Sequence, residues 1–296
     1  MEEIIMWMFG QSVINGLLMG GVYALAAVGL TLIFGVMKIV NFAQAEFLML
    51  GMYATCLLVD VFHSEPYAMI VPVAAIMFIV GYIIYLLIVR PLVNKEGVNR
   101  FVLLTLGLQS FLQGLVQVVF GTDYRTVKSA TKGSSLFLGE YSFAVPRLIA
   151  MGVVLILFAI LAVIIKKSEM GRALRATSEN SKIAAMMGIN PAAHFALAFG
   201  LGAALTGIAG LLLTPMYYTY ATIGDLFGTM TFVVVVIGGM GSIKGALIGG
   251  LLIGLIEALT SSYIAMDLGT AGIFVVFVIV LLLRPQGLFG GGAREV

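Results

Sequence analysis

Charge is what this sequence has least of. Asp, Glu, Lys and Arg make up only 10% of its 296 residues, while 61% are hydrophobic. Soluble domains carry about 25% charged and about 45–50% apolar residues. A chain so poor in charge cannot clothe itself in water-facing side chains, so its solvent is lipid; its mean hydropathy is +1.13. A net charge of +2 with no basic block excludes nucleic acid as a partner. The single cysteine, Cys56, excludes an internal disulfide framework. The two histidines, His63 and His194, lie far apart, and no Cys/His cluster offers a metal site. Basic residues are missing from the opening "MEEIIMW", where a secretory signal needs them, so the first apolar segment is expected to be a retained span. Gly-Lys-Ser/Thr is missing too: Lys244 is followed by Gly245 and Ala246, so there is no phosphate-binding loop. Any ATP-driven work would need an ATPase on another polypeptide.

What is present is a series of apolar runs. A spanning helix needs about 20 mostly apolar residues. Segments near 11–37, 39–59, 67–89, 101–120, 148–165, 192–214, 226–243, 245–264 and 270–283 qualify. They predict an all-α, polytopic membrane protein of eight or nine spans. The seventh and eighth meet at "GGMGSIKGALIGG", too glycine-rich for a simple junction; if 226–243 only re-enters, the count is eight. The region 1–290 reads as one transmembrane domain, followed by a short tail, 291–296.

Short loops rich in Lys and Arg stay on the cytoplasmic side. Loop 90–100 carries Arg90, Lys95 and Arg100, loop 166–190 carries Lys166, Lys167, Arg172, Arg175 and Lys182, and the end carries Arg284 and Arg294. The other side holds Glu2, Glu3, Asp60, Glu65 and Asp225. The expectation is an outer N-terminus and an inner C-terminus, which asks for an odd number of crossings. Loop 121–147 dissents with Arg125, Lys128, Lys132 and Arg147, partly balanced by Asp123 and Glu140. Tyr217, Tyr218 and Tyr220 flank Pro215 where the sixth segment leaves the bilayer, as an aromatic belt would.

Polar residues inside the spans are the informative exceptions. "IVNFAQAEF" places Asn41, Gln44 and Glu46 where the pattern calls for more Leu and Val. It follows Lys38, the inner end of the first span, and reads as the start of an interrupted helix facing the protein interior. Thr105, Gln109, Gln113 and Gln117 recur every four residues, a slowly turning stripe on one helical face. Lipid offers an amide no partner, so the stripe faces other helices or a wet cavity. Helix–helix glue and the lining of a path both remain open for it. Glu257 lies in the eighth segment, and a structural pairing with a Ser, Thr or Tyr on another helix is preferred to a proton or cation site. Gly241, Gly245 and Gly249, like Gly16 and Gly20, repeat at four, which lets helix backbones approach closely. With Gly238 and Gly239 they form a packing or re-entrant region.

The stretch 166–191, "KKSEMGRALRATSENSKIAAMMGINP", is the most charged of all. Ser168 is placed to cap one short helix, and Ser178 or Asn180 a second that stops at Gly188. Ile183, Met186 and Met187 share one face. That face suits either lipid contact or docking into a partner's groove.

Five stretches carry a resemblance: "GLLMGGVYALAAVGLTLIFGVMKIVNFAQAEFLMLGMYA" (16–54), "GRALRATSENSKIAAMMGIN" (171–190), "GLGAALTGIAGLL" (200–212), "VVVVIGGMGSIKGALIGGLLIGLIEAL" (233–259) and "LLLRPQGLFG" (281–290). In order and spacing the chain resembles the permease subunits of branched-chain amino acid (Liv-type) ABC importers, the shorter H-type above all. The resemblance implies a multi-pass permease of the bacterial inner membrane. It implies a second, homologous permease, two cytoplasmic ATPase subunits that hold the ATP and Mg, and a periplasmic substrate-binding protein. No cofactor is expected on this chain. By the same likeness 171–190 is the ATPase-coupling segment, with Gly171, Arg172, Arg175, Ala176, Glu179, Ala184, Gly188 and Ile189 as its residues. Inverted repeats with interrupted helices are implied as well, and Asn41–Glu46 and Gly238–Gly245 are the two candidate interruptions. The translocation path would be lined by Asn41, Gln44, Glu46, Gln109, Gln113 and Gln117.

One departure stands out. The family pattern reads Asn-Phe-Ala-His-Gly-Glu where this chain has Gln44 and Ala45 for His and Gly. Gln keeps hydrogen bonding without a titratable ring. The resemblance therefore covers branched-chain amino acids and related small polar solutes such as urea and amides. The competing class is a passive channel for small neutral solutes, which would need no docking segment. An intramembrane enzyme would need a nucleophile–base pair that Glu46 and Glu257 do not supply.

Overall fold

The computed structural model describes residues 2–93 and 98–290. Lys95, Arg294 and the tail 291–296, used above for orientation and domain limits, lie outside the described residues.

Without water to compete, a backbone in lipid satisfies itself as helix, and the apolar runs do so. Helix α1 covers Glu2–Met37 and α2 Gln44–Phe62. A turn at Pro66–Met69 leads into α3, Ile70–Ile84, which continues through a wider turn into α4, Arg90–Val93. After α5, Val98–Phe120, come two short strands, β1 Ser135–Leu138 and β2 Tyr141–Ala144. Helix α6 covers Val145–Lys167, α7 Glu169–Glu179 and α8 Ser181–Met186. Helices α9, Pro191–Leu213, α10, Ile223–Gly238, α11, Ile243–Tyr263, and α12, Gly269–Leu283, complete the chain.

Eight stretches among the described residues are long and apolar enough to cross a membrane: Met6–Met37, Gln44–Phe62, Pro66–Leu92, Arg100–Phe120, Val145–Lys167, Pro191–Leu213, Ile243–Tyr263 and Met266–Leu283. The protein is a mostly helical, polytopic membrane protein. The segment expected at 226–243 is α10, with 16 residues. At 1.5 Å per residue it is about 24 Å long, shorter than the roughly 30 Å hydrocarbon layer. The span expected from residue 39 starts instead at Gln44, because 39–43 is not helical.

The core is a cross of two pairs. Helix α1 packs along α11, and α9 packs along α3; α1 and α9 also pack on each other. Glycine makes these approaches possible. A methyl on Gly250 would sit 2.5 Å from the backbone N of Ala24, and one on Gly20 would meet the Gly250 carbonyl at 2.6 Å. On the other side Gly81 lies against Ala203, and Gly200 against Phe78. Small residues thus do in lipid what they are known to do, letting backbones touch.

Loop 121–147 is not a plain loop. Its antiparallel hairpin joins the N-terminal end of α1: Trp7 Nε1 donates to the Glu140 carbonyl at 2.7 Å, and Gln11 exchanges two bonds with the Ser142 backbone at 2.6 and 2.9 Å. Three of its basic residues are engaged, Arg147 by donating to Asn15 Oδ1 of α1 at 3.0 Å. Arg125 lies over the Phe120 ring at 5.2 Å, and Lys132 donates to Thr126 Oγ1 at 2.7 Å.

Candidate functional site

Helix α1 stops at Lys38, which takes a left-handed φ of +57° while its N–H donates to the Phe34 carbonyl at 2.8 Å. The chain then doubles back along α1. Asn41 Oδ1 accepts from the Ala43 N–H at 3.2 Å, a local turn that launches α2. Gln44, the first residue of α2, donates to Thr206 Oγ1 at 2.6 Å and to the Gly202 carbonyl at 3.2 Å, and accepts from Asn41 Nδ2 at 3.2 Å. Those α9 residues pack on Gly29 of α1. Gly29 lies about 12 Å along the axis from the end of α1, so α2 begins inside the bundle.

A second interruption faces the first. Helix α9 stops at Leu213, and residues 214–222 run back into the bundle. Thr219 pairs with Arg125 through two backbone bonds of 2.8 and 2.9 Å, and its hydroxyl lies 3.6 Å from Cys56 Sγ. The chain then follows α2 down to Glu46, where α10 begins: a methyl on Gly224 would sit 3.0 Å from both Glu46 carboxylate oxygens. The expected interruption at Gly238–Gly245 is instead a tight turn. Gly239 and Gly241 there have φ of +97° and +89°, a conformation that strains other residues. Gly238 and Gly245 touch backbone to backbone, and Gly249 lies over Val234 and Gly238. The closing segment pins this turn: the Leu288 and Phe289 N–H groups donate to the Ile237 and Gly238 carbonyls at 2.7 and 3.1 Å, satisfying the open end of α10.

Where the two helix starts meet, four polar side chains converge. Glu46 is the third residue of α2, and Asp225 the third of α10. Gln113 of α5 bridges them, its Nε2 donating to Glu46 Oε1 at 3.0 Å and to Asp225 Oδ1 at 2.9 Å. Gln109 Nε2 donates to Asp225 Oδ1 at 3.0 Å. Glu46 is 0% exposed, and its Oε2 has no hydrogen-bond partner. Asp225 is exposed.

Beside this cluster is a cleft of about 410 Å³. Asn41, Gln44, Gln109 and Asp225 are among its polar lining residues, and Phe42, Phe232, Phe274 and Phe277 among its apolar ones. The Phe42 and Phe232 rings stack at 6.0 Å. Gln44 stands in the wall with its amide turned to α9.

The glutamine stripe therefore divides. Gln109 and Gln113 reach the cluster; Thr105 bonds back to the Phe101 carbonyl at 2.9 Å, and Gln117 is exposed near the end of α5. Asp225, read from the sequence as a residue of the outer side, belongs to the site instead. A signal for it exists in the parallel of Gln44-Ala45-Glu46 with Ile223-Gly224-Asp225, a small residue then an acid in each. Glu257 faces Tyr23 of α1, with Arg147 adding a favourable charge. Of the three tyrosines, Tyr217 packs edge-on against Phe227 at 5.2 Å and Tyr220 lies 5.0 Å from the Tyr124 ring, while Tyr218 is exposed. Burial pushes the Tyr217 phenol up, and the Glu257 charge adds to the shift.

Away from the cleft, the 166–191 stretch forms a braced knob. Ser168 caps α7 by accepting from the Gly171 N–H at 2.9 Å, and Asn180 caps α8 by accepting from Lys182 and Ile183 at 3.0 and 3.1 Å. Gly171 lies against the Ile164 and Ile165 carbonyls, and Arg175 donates to the Ile165 carbonyl. Leu174 packs on Val36 and Ala198, tying α7 to the ends of α1 and α9. Arg172 pairs with Glu169 at 3.5 Å on the exposed side, where Glu179 also lies. Ala176 is half-buried, Ala184 is buried, Gly188 turns the chain at φ +85°, and Ile189 is half-buried. Met186 and Met187 remain 77% and 78% exposed.

Comparison with known families decides what kind of protein carries this architecture. Residues 12–283 match the family described as branched-chain amino acid transport system, permease component. The chain belongs to that family. It is 32% identical over 295 residues to the high-affinity branched-chain amino acid transport system permease protein LivH of Salmonella typhimurium, covering 95% of this chain and 96% of that one. It is 34% identical over 297 residues to the permease protein BraD of Pseudomonas aeruginosa, covering 95% of each. A probable LivH of Methanocaldococcus jannaschii is 30% identical over 308 residues, covering 98% of this chain and 96% of that one. No solved structure matches. This chain is accordingly a permease component and not itself an enzyme.

Proposed function

We propose that this chain is the membrane permease subunit of an ATP-driven importer for branched-chain amino acids or closely related small polar solutes. The observation that carries the reading is the meeting of two helix starts, α2 and α10, at a polar cluster beside a cleft. Discontinuous helices whose ends converge inside a bundle are how transporters build a solute site in lipid. The order helix, re-entrant segment, second helix occurs twice, as α1 to α2 and as α9 to α10, and the pairing of α1 with α11 answers that of α9 with α3. We read this as two inverted repeats. The path then runs past Gln109, Gln113, Glu46 and Asp225, with Asn41 and Gln44 holding the start of α2 in position and Gln117 at the mouth.

The loop charges favour an outer N-terminus and an inner C-terminus. Parity is kept if α10 serves as a short ninth crossing. Gly241, just past its end, lies against Gly35 near the inner end of α1, whereas Thr219, just before its start, pairs with the outer loop at Arg125. On this orientation the α7–α8 knob faces the cytoplasm of a bacterial inner membrane. Its exposed methionines suit the groove of an ATPase subunit. A second, related permease, two ATPases carrying ATP and Mg, and a periplasmic binding protein complete the assembly.

A passive channel has no use for such a knob. The deciding experiment is reconstitution with the partner subunits in proteoliposomes and measurement of leucine uptake. Uptake that requires ATP and the ATPases supports the importer; uptake that persists without them supports the channel.

A further inference from the structure

Leu136, Phe137 and Leu138 of β1 are 59%, 75% and 75% exposed. Among the described residues β1 pairs with β2 alone, in the register Leu136–Phe143, Phe137–Ser142 and Leu138–Tyr141. Side chains alternate along a strand, so Leu136 and Leu138 stand on one face of the hairpin and Phe137 on the other. Both faces are therefore apolar and open. Exposed apolar surface of this kind marks contact with another protein or with a membrane. A protein docks against one face or along the free edge of a strand, whereas a fluid surrounds it. Exposure on both faces favours the fluid.

Helix α6 gauges the depth. Arg147 near its start and Lys166 near its end are separated by about 28 Å along the axis, close to the roughly 30 Å of the hydrocarbon layer. Arg147 Nη1 donates to Asn15 Oδ1 at 3.0 Å, so the hydrocarbon edge crosses α1 near Asn15. From there the hairpin follows α1 outward. Gln11 bonds the Ser142 backbone, the Tyr141 ring lies against Gly10, and Trp7 reaches the Glu140 carbonyl. Phe137 and Leu138, opposite Ser142 and Tyr141, thus stand about 6–8 Å beyond Asn15. The headgroup layer adds about 5–8 Å on each side of the hydrocarbon, so β1 stands in it. Trp7, the chain's one tryptophan, joins it there, and that residue type gathers at headgroup depth.

We propose that the β1–β2 hairpin is a membrane-interface anchor. Leu136, Phe137 and Leu138 lie among lipid headgroups at the acyl boundary, and lipid covers both faces of the hairpin. The bonds to Trp7 and Gln11 hold the N-terminal end of α1 at that depth. This inference rests on the spans alone and holds whatever solute is carried. On the orientation argued above, the lipid is that of the outer leaflet.

The test uses the complete complex in phosphatidylcholine vesicles, with Cys56→Ser in this chain and cysteine-free partner subunits. A polarity-sensitive fluorophore is attached at Phe137→Cys or at Leu138→Cys, one on each face. The same label at Ile156→Cys, exposed in the middle of α6, calibrates the deep hydrocarbon. Quenching is compared for lipids carrying a nitroxide at the headgroup, for lipids carrying it deep in the acyl chain, and for aqueous iodide. Both hairpin labels are expected to emit to the blue of the free fluorophore and to be quenched most by the headgroup nitroxide. Iodide as the strongest quencher at either position overturns the anchor, since the hairpin then stands in water. Shielding of either label from all three quenchers also overturns it, since a partner subunit then covers that face. Strongest quenching by the deep nitroxide, as at Ile156→Cys, overturns the headgroup placement.

Discussion

The side-chain amide of Gln44 donates to the hydroxyl of Thr206 across 2.6 Å, in a place where Gln44 is 2% and Thr206 1% exposed. This one bond fixes the start of α2 against the middle of α9. Gln44→Ala leaves the Thr206 hydroxyl and the Asn41 amide short of a partner. It is expected to cost about 1–3 kcal/mol of stability, read as a lower melting temperature in detergent. Thr206→Val should cost a similar amount, and the double variant should cost less than the sum, because the two share one interaction. Gln44→His keeps one ring N–H donor and is expected to lose less than Gln44→Ala. Strict additivity would show that the bond does not form.

Helix contacts made through glycine give a second prediction. Gly250→Ala puts a methyl 2.5 Å from the Ala24 backbone N, so α1 and α11 must part. A cost of about 1–3 kcal/mol is expected, as for overpacking elsewhere. Gly152→Ala on α6 meets nothing within 4 Å. It should hold or raise stability by up to about 1 kcal/mol. Thermal unfolding of the two variants side by side checks the contrast; equal effects would contradict the packing described.

The α7–α8 knob gives a third. Met186 and Met187 are exposed while Leu174 anchors α7. Replacing both methionines with Ser should leave the melting temperature within a few degrees but weaken co-purification of the ATPase subunits. Leu174→Ala opens a buried site and should cost about 2–5 kcal/mol. If the Met variants bind ATPase normally, the knob lies on lipid instead.

Much of this was legible in sequence because lipid makes helices nearly compulsory: eight of the nine apolar runs are long helices and the ninth, 226–243, is the shorter α10. The caps Ser168 and Asn180 were also legible, since their signals are local. What the residues could not convey was long-range. Asp225 reads as an outer-surface residue because an acid next to an apolar run marks a span's end equally well outside the bundle and within it. The re-entrant course of 214–222 hid for a related reason, as its tyrosines read like an interfacial belt. The hairpin at 135–144 lacks the Asn-Gly type of turn that announces one, having Gly139-Glu140 instead. Glycine density points to a second interruption at Gly238–Gly245, although those glycines serve a tight turn and close contact.

The most direct test of the path is thiol accessibility in the cleft. Cys56 is buried and is the chain's lone cysteine, so Cys56→Ser gives a clean background. Thr229 is exposed beside Asp225 on the cleft wall. A cysteine placed there by Thr229→Cys should react with a membrane-impermeant maleimide added on one side of proteoliposomes holding the complete complex. In the ATP-trapped complex it should react from the opposite side. Reactivity from the same side in both states, or only with a lipid-soluble reagent, would show that the cleft faces lipid and is not the path.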